Sequence, residues 1–257
     1  LSIVGAVVLA WIFKRTSWGK AIDIKAWIWS LWLMLITHML LDAFTSYGTQ
    51  LFLPFSDYRM SFDSISIVDP AYTLPLLLGL ILSGAFRSRR KKDYHFSRYA
   101  LIVSSLYLCL TIVVKQQVSS EGKSQLTAQD IRFIDFRTVP VNAGISDWYV
   151  IATTTDSLYL AKHEDLKKSP PKFFSFPINS HLLQDENPEL VERLIWFAQG
   201  FYTVSESSGH LNFYNLQCDM QGPLMNGNLL APTAWHFTIT KDKNGDTHLG
   251  TDVHLSE

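Results

Sequence analysis

The chain has 257 residues, 47% of them hydrophobic and 18% charged, with a formal net charge of −1. That balance excludes a nucleic-acid binder, which needs a basic excess or a basic face. The averages hide a division: up to about Val114 the chain is dominated by Leu, Ile, Trp and Phe, and beyond it charged and small polar residues are spread throughout.

Leu1 opens inside an apolar run with no charged n-region and no small-residue cleavage site, so this start does not read as a signal peptide, and upstream sequence is expected. The first run, Leu1–Phe13, is short for a span and reads as the remaining end of a longer helix. Lys14, Arg15, Lys20 and Lys25 follow against a single Asp23. Ala26–Phe44 is apolar and long enough to cross a hydrocarbon core of about 30 Å. Trp27, Trp29 and Trp32 cluster at one end of it, as an interfacial belt does.

Thr45–Pro70 is a turn-rich connector. A third span is expected at Ala71–Phe86, with Pro75 near its start where a helix tolerates it. A basic run from Arg87 to Lys92 and then Arg98 precede a fourth span at Tyr99–Val114. Lys and Arg favour the cytoplasmic side of short loops. The two basic loops are separated by two spans and so fall on one side, inside. The connector carries only Arg59 against Asp57, Asp63 and Asp69, and falls outside, as does everything after the fourth span.

From about Gln116 the pattern changes to short β-rich runs: Ile131–Val139, Trp148–Thr154, Ser157–Ala161, Lys172–Phe176, Phe201–Ser205, Leu211–Leu216 and Trp235–Thr240. Ser207-Ser-Gly209 and, more strongly, Lys243-Asn-Gly-Asp246 read as hairpin turns. One helix is expected at Pro188–Gln199, with Asn187 as its N-cap and Gly200 at its end. The expected architecture is therefore an α-helical membrane domain of about four transmembrane helices, residues 1–115, followed by an extracytoplasmic β-rich α+β domain, residues 116–257.

Chemistry concentrates at the outer end of the second span. His38 and Asp42 are four apart, on one face of a helix. Ionisable groups at such a depth are costly and need partners. An imidazole and a carboxylate form part of a shell for a divalent metal, zinc among the candidates. They serve equally as a hydrogen-bonded pair that holds two helices in register. Asp69, just before Pro70 at the outer mouth of the third span, is the nearest candidate partner by membrane depth. Capping of that helix is its other reading. Asp57 and Asp63 read as solvated loop residues. His163, His181, His210, His236, His248 and His254 lack ligand spacing, and Cys109 and Cys218 read as packing residues.

The run His38-Met-Leu-Leu-Asp42-Ala-Phe-Thr45-Ser-Tyr-Gly48-Thr49-Gln, then Pro54-Phe-Ser-Asp-Tyr-Arg59, then Val68-Asp69-Pro70-Ala-Tyr72-Thr73-Leu-Pro75, resembles the bacterial inner-membrane family of predicted membrane-bound metal-dependent hydrolases, one of whose members is LexA-regulated. Leu194-Ile-Trp196-Phe197-Ala-Gln-Gly200-Phe-Tyr202 resembles the C-terminal region of longer members. The family's site also draws on an acidic Pro-Asp-x-Asp segment and a His-Arg-Gly-x-x-His-Ser segment, neither of which occurs in this sequence. The resemblance implies His38 and Asp42 as metal ligands and, with them, Asp69. The functional expectation is a divalent-metal-dependent hydrolase of the bacterial inner membrane with an outward-facing site. Asp69 would act as ligand or general base, and Arg59 would hold an anionic group of an ester or phosphoester from an envelope or lipid-like molecule. The alternative is a non-catalytic, membrane-anchored protein that binds or assembles envelope partners. A transporter is a third reading, opposed by the scarcity of polar residues along the spans. The bilayer is the one partner expected in every case.

Overall fold

The computed structural model describes residues 2–17, 19–86, 95–141, 144–168, 171–207, 209–217, 235–241 and 247–253. The chain divides into two compact units, Leu1–Asp63 and Ser64–Glu257.

The first unit is a helical hairpin with a folded-back connector. Helix α1 runs Ser2–Lys14 and α2 runs Ile24–Phe44. Ala6 and Ala10, one turn apart on α1, are fully buried against α2 around Leu31, because small side chains let two apolar helices approach closely. The turn between them is closed by Phe13 stacked on Trp27 at 5.2 Å and by the Lys14 ammonium, which donates to the Ile22 carbonyl at 2.7 Å. Asp23 caps α2, its carboxylate accepting the Lys25 N–H.

The second unit begins with α3, Pro70–Phe86, and α4, His95–Ala128. They pack antiparallel through small and hydroxylated residues. The Ser83 and Ser97 hydroxyls meet at 2.7 Å, Gly79 sits against Ala100, and the Ser104 hydroxyl donates to the Tyr72 carbonyl at 2.8 Å. Outward-facing residues such as Leu78, Leu80, Leu101 and Leu106 are more than half exposed, as lipid-facing side chains are.

Four spans were expected, but only α2, with 21 residues, and α4, with 34, are long and apolar enough to cross a membrane among the described residues. At 1.5 Å per residue, the 13 residues of α1 reach about 20 Å and the 17 of α3 about 26 Å, both short of the ~30 Å core. The fourth expected span, Tyr99–Val114, is the first part of a much longer helix that continues unbroken across residue 115 to Ala128.

The strand-rich part of the second unit contains two four-stranded antiparallel meanders. The first has the order β1 (Asp135–Pro140), β2 (Trp148–Thr153), β3 (Ser157–Lys162), β4 (Phe174–Pro177). The second has the order β5 (Tyr202–Ser207), β6 (His210–Asn215), β7 (Trp235–Lys241), β8 (Thr247–Val253). Each expected strand overlaps an observed one, and β8 is additional. Between β3 and β4 lies the one-turn helix α5, His163–Leu166. Between β4 and β5 lies α6, Pro188–Phe197, where the Asn187 side chain accepts the Glu189 and Leu190 N–H groups as an N-cap should. The Asn-Gly turn expected at 243–246 and the Arg87–Lys92 run lie outside the described residues.

Strand β2 is buried at every position because both of its faces are covered. Side chains alternate along a strand. Tyr149 and Ile151 enter the main core with Leu158, Leu160, Val204, Phe213 and Leu194 of α6. Trp148 and Val150 face the other way, onto Val118 of α4. The far half of α4 is thus the cover of the first sheet.

Candidate functional site

His38 and Asp42 lie in the last two turns of α2, on one face. The His38 Nε2 atom is 3.5 Å from Asp42 Oδ2, and the side chains are 74% and 47% exposed. That separation exceeds the usual hydrogen-bond range of about 2.7–3.2 Å. It matches the roughly 3.3–3.6 Å between two ligands of one tetrahedral ion with bonds of about 2.0–2.2 Å. The pair therefore fits two positions of a metal shell. Among the described residues no group of three or more His, Cys, Asp or Glu side chains is placed to hold an ion, so the shell is not completed there.

The end of α2 is capped by its own connector. The Thr45 N–H and hydroxyl both donate to the Asp42 carbonyl, at 3.0 and 2.7 Å, and the Phe62 N–H donates to the Ala43 carbonyl at 2.7 Å. These bonds satisfy carbonyls that a helix C-terminus leaves open. Thr45 is thereby a capping residue. The Arg59 guanidinium donates to the Tyr47 carbonyl and so closes the same connector.

Asp69 is 3% exposed in the second unit, and both its carboxylate oxygens are engaged. Oδ1 accepts the Ala71 N–H at 2.9 Å, the capping role open to it from the sequence. Oδ2 accepts the Tyr107 hydroxyl of α4 at 2.7 Å and the Gly144 N–H of the β1–β2 loop at 3.1 Å. Tyr107 and Gly144 escaped the sequence reading. The only signal for the first was a hydroxyl inside an apolar run, and for the second a loop glycine, here at φ +101°.

A second titratable pair joins α4 to the first sheet. His163 Nε2 and Glu121 Oε2 are 2.7 Å apart, with His163 only 14% exposed. The hydrogen bond from His163, then that from Gln117, holds the Glu121 carboxyl below its ordinary value. Beside it is a pocket of about 140 Å³ lined by Ser146, Asp147, Trp148, Tyr149, Lys162 and His163. Burial, then the charges of Asp165, Asp147 and Glu164, push the Tyr149 phenol up to about 12. This pocket lies in the strand-rich part and is lined by neither His38 nor Asp42.

No curated protein and no solved structure matches the chain. Residues 2–118 match the family model described as YdjM inner membrane protein. That segment holds α1, α2, α3 and most of α4, and ends on Val118, where α4 passes onto the first sheet. Over its helical part the chain is therefore similar to a bacterial inner-membrane family, in agreement with two apolar helices long enough to cross a bilayer.

Proposed function

We propose that this is a multi-pass inner-membrane protein in which α2 supplies two ligands, His38 and Asp42, of a divalent-metal site for hydrolysis of an ester or phosphoester of an envelope or lipid-like substrate. The observation that carries the reading is the geometry of the pair. Its tips are spaced for one ion, on an exposed face of a membrane helix. An imidazole and a carboxylate left against hydrocarbon are costly, so this face calls for polar cover, either an ion with further ligands or a water-filled cavity. Bound there, such an ion would supply Lewis-acid polarisation of the scissile group and a water of lowered pKa. His38 and Asp42 hold and orient it. Arg59, the only Lys or Arg between Lys25 and Arg87, places a cation in the connector that follows the pair and would attract an anionic substrate group. The reading draws its two ligands from α2 alone; Asp69, which accepts from Ala71, Tyr107 and Gly144, is not counted among them.

The second reading, a non-catalytic membrane-anchored protein that binds or assembles envelope partners, is favoured by the absence of a third ligand among the described residues. Metal analysis separates the two. The protein purified in lipid nanodiscs is expected to retain a transition metal through gel filtration. His38→Ala and Asp42→Ala should each lose it, and Asp69→Asn should keep it. Equal metal content in wild type and both ligand variants would leave the anchor reading in its place.

A further inference from the structure

The connector after α2 carries a feature that the metal reading does not use. From Phe44 to Ser56 the sequence has no charged residue, and the apolar side chains at its tip are exposed. Phe55 is 94% exposed, Phe52 48% and Leu53 43%. This is not a loose loop. The tip is a tight turn in which the Phe52 carbonyl accepts the N–H groups of Phe55 at 2.8 Å and Ser56 at 3.2 Å. The neck is closed by reciprocal backbone bonds between Thr49 and Met60, at 2.8 and 3.0 Å, and by the Gln50 side-chain amide on the Asp57 carbonyl at 3.1 Å. Gly48, at φ +71°, makes the bend that starts it, and there a Cβ would lie 2.9 Å from the Met60 carbonyl oxygen. The returning segment is fastened to the helix end, with Phe62 packed on Phe44 at 5.0 Å.

We infer that the Phe52–Phe55 turn is a membrane-interface anchor, inserted at the boundary between lipid headgroups and acyl chains beside the end of α2. Three observations point to lipid as the occupant. The turn is stapled directly to the end of a helix that crosses the bilayer, so the membrane surface is its immediate surroundings. The turn presents exposed apolar side chains at Phe52, Leu53 and Phe55, as α2 does at Leu33, Met34 and Leu40. After Asp42 the first charged groups, Asp57 and Arg59, come only beyond the tip, next to Tyr58, whose apolar ring and polar hydroxyl suit the headgroup level. The inference rests on α2 lying in the membrane and is independent of any metal.

Site-directed spin labelling tests it on the full chain in phosphatidylethanolamine–phosphatidylglycerol vesicles, in a Cys109→Ser, Cys218→Ser background. Labels are placed at Phe55→Cys and, as an independent position, Leu53→Cys. Leu33→Cys on α2 serves as the in-membrane reference and Thr155→Cys, exposed in the β2–β3 turn, as the aqueous one. Collision with oxygen, which concentrates in lipid, is compared with collision with a water-soluble nickel chelate. Both turn labels should be relaxed more by oxygen than by the chelate, giving a positive depth parameter of the same sign as Leu33 and opposite to Thr155. Chelate-dominated relaxation at both would place the turn in water and overturn the inference. Exclusion of both reagents would also overturn it, because the turn would then be covered by protein, a second copy included.

Discussion

Asp69 concentrates three hydrogen bonds on one buried carboxylate, and the chemistry of each donor decides what a substitution does. An asparagine keeps one carbonyl oxygen for the Ala71 N–H but turns an NH₂ toward the Tyr107 hydroxyl and the Gly144 N–H. A buried donor left facing a donor costs about 1–3 kcal/mol. Asp69→Asn is therefore expected to destabilise the second unit by that amount, measured by thermal unfolding in detergent, and Tyr107→Phe by less, since Oδ2 then still accepts the Gly144 N–H. Glu121 gives a prediction of opposite pH sense to a buried base. Its carboxyl is held below its ordinary value of 4.5, so the unfolded chain binds that proton more readily than the folded one. The ionised Glu121 carboxylate, hydrogen-bonded to His163, thus stabilises the fold above the ordinary value, and the contribution vanishes as pH falls through the lower folded value. With Glu121 37% exposed, the size belongs with solvent-open pairs, about 0.2–1 kcal/mol. The stability difference between wild type and Glu121→Ala should be full at neutral pH and shrink toward zero in acid. A difference that grows in acid would contradict it.

At the scale of elements, α4 is the piece that the sequence concealed. The strands were legible because alternation of apolar and polar residues is a short-range pattern, and α6 was legible because Asn187, Pro188 and Gly200 mark its ends. The continuation of α4 beyond Val114 carries no such marks. Gln116–Ala128 is mostly polar, and its helix depends on a single buried row, Val118, Gly122 and Leu126, four residues apart. A reading led by hydrophobicity stops at Lys115, where the lipid-facing surface ends. The extents of α1 and α3, by contrast, were legible: the apolar runs read at Leu1–Phe13 and Ala71–Phe86 agree with the helices Ser2–Lys14 and Pro70–Phe86 to within a residue or so. The row makes a sharp prediction at Gly122. A Cβ there would lie 2.9 Å from both Val150 methyls and 3.3 Å from the Phe136 ring, so the helix rests on the sheet through a missing side chain. Gly122→Leu is expected to cost about 1–3 kcal/mol by overpacking. Gly122→Ala should cost less, because alanine regains about 1 kcal/mol of helix propensity. Adding Val150→Ala should recover part of the Gly122→Leu loss, which unfolding of single and double variants measures directly.

For the whole molecule, the side of the membrane on which the strand-rich part lies turns on α3. If only α2 and α4 cross, the basic Lys14–Lys25 loop inside leads by two crossings back to the inside, and the strands are cytoplasmic. If α3 crosses as well, they are outside, as the two basic loops require. Length alone speaks against α3, at about 26 Å. Its packing speaks for it: α3 accompanies α4 from the Asp69–Tyr107 bond at one end to the Phe86–Phe96 stack at the other, with rings 5.7 Å apart. The partner stretch of α4, from His95 to Val114, is the apolar part that must lie in lipid. A helix bound along that stretch shares its depth, and a deficit of a few ångströms is met by local thinning of the bilayer at a fraction of a kcal/mol per ångström. The expected result is therefore that alkaline phosphatase fused after Ala128 is active and green fluorescent protein fused there is dark, with the reverse pattern for fusions after Phe86. The fusion point follows Ala128 because an earlier one would cut α4. An active phosphatase after Phe86 together with a fluorescent fusion after Ala128 would mean that α3 does not cross, and would move the strand-rich part, with its His163 pocket, into the cytoplasm.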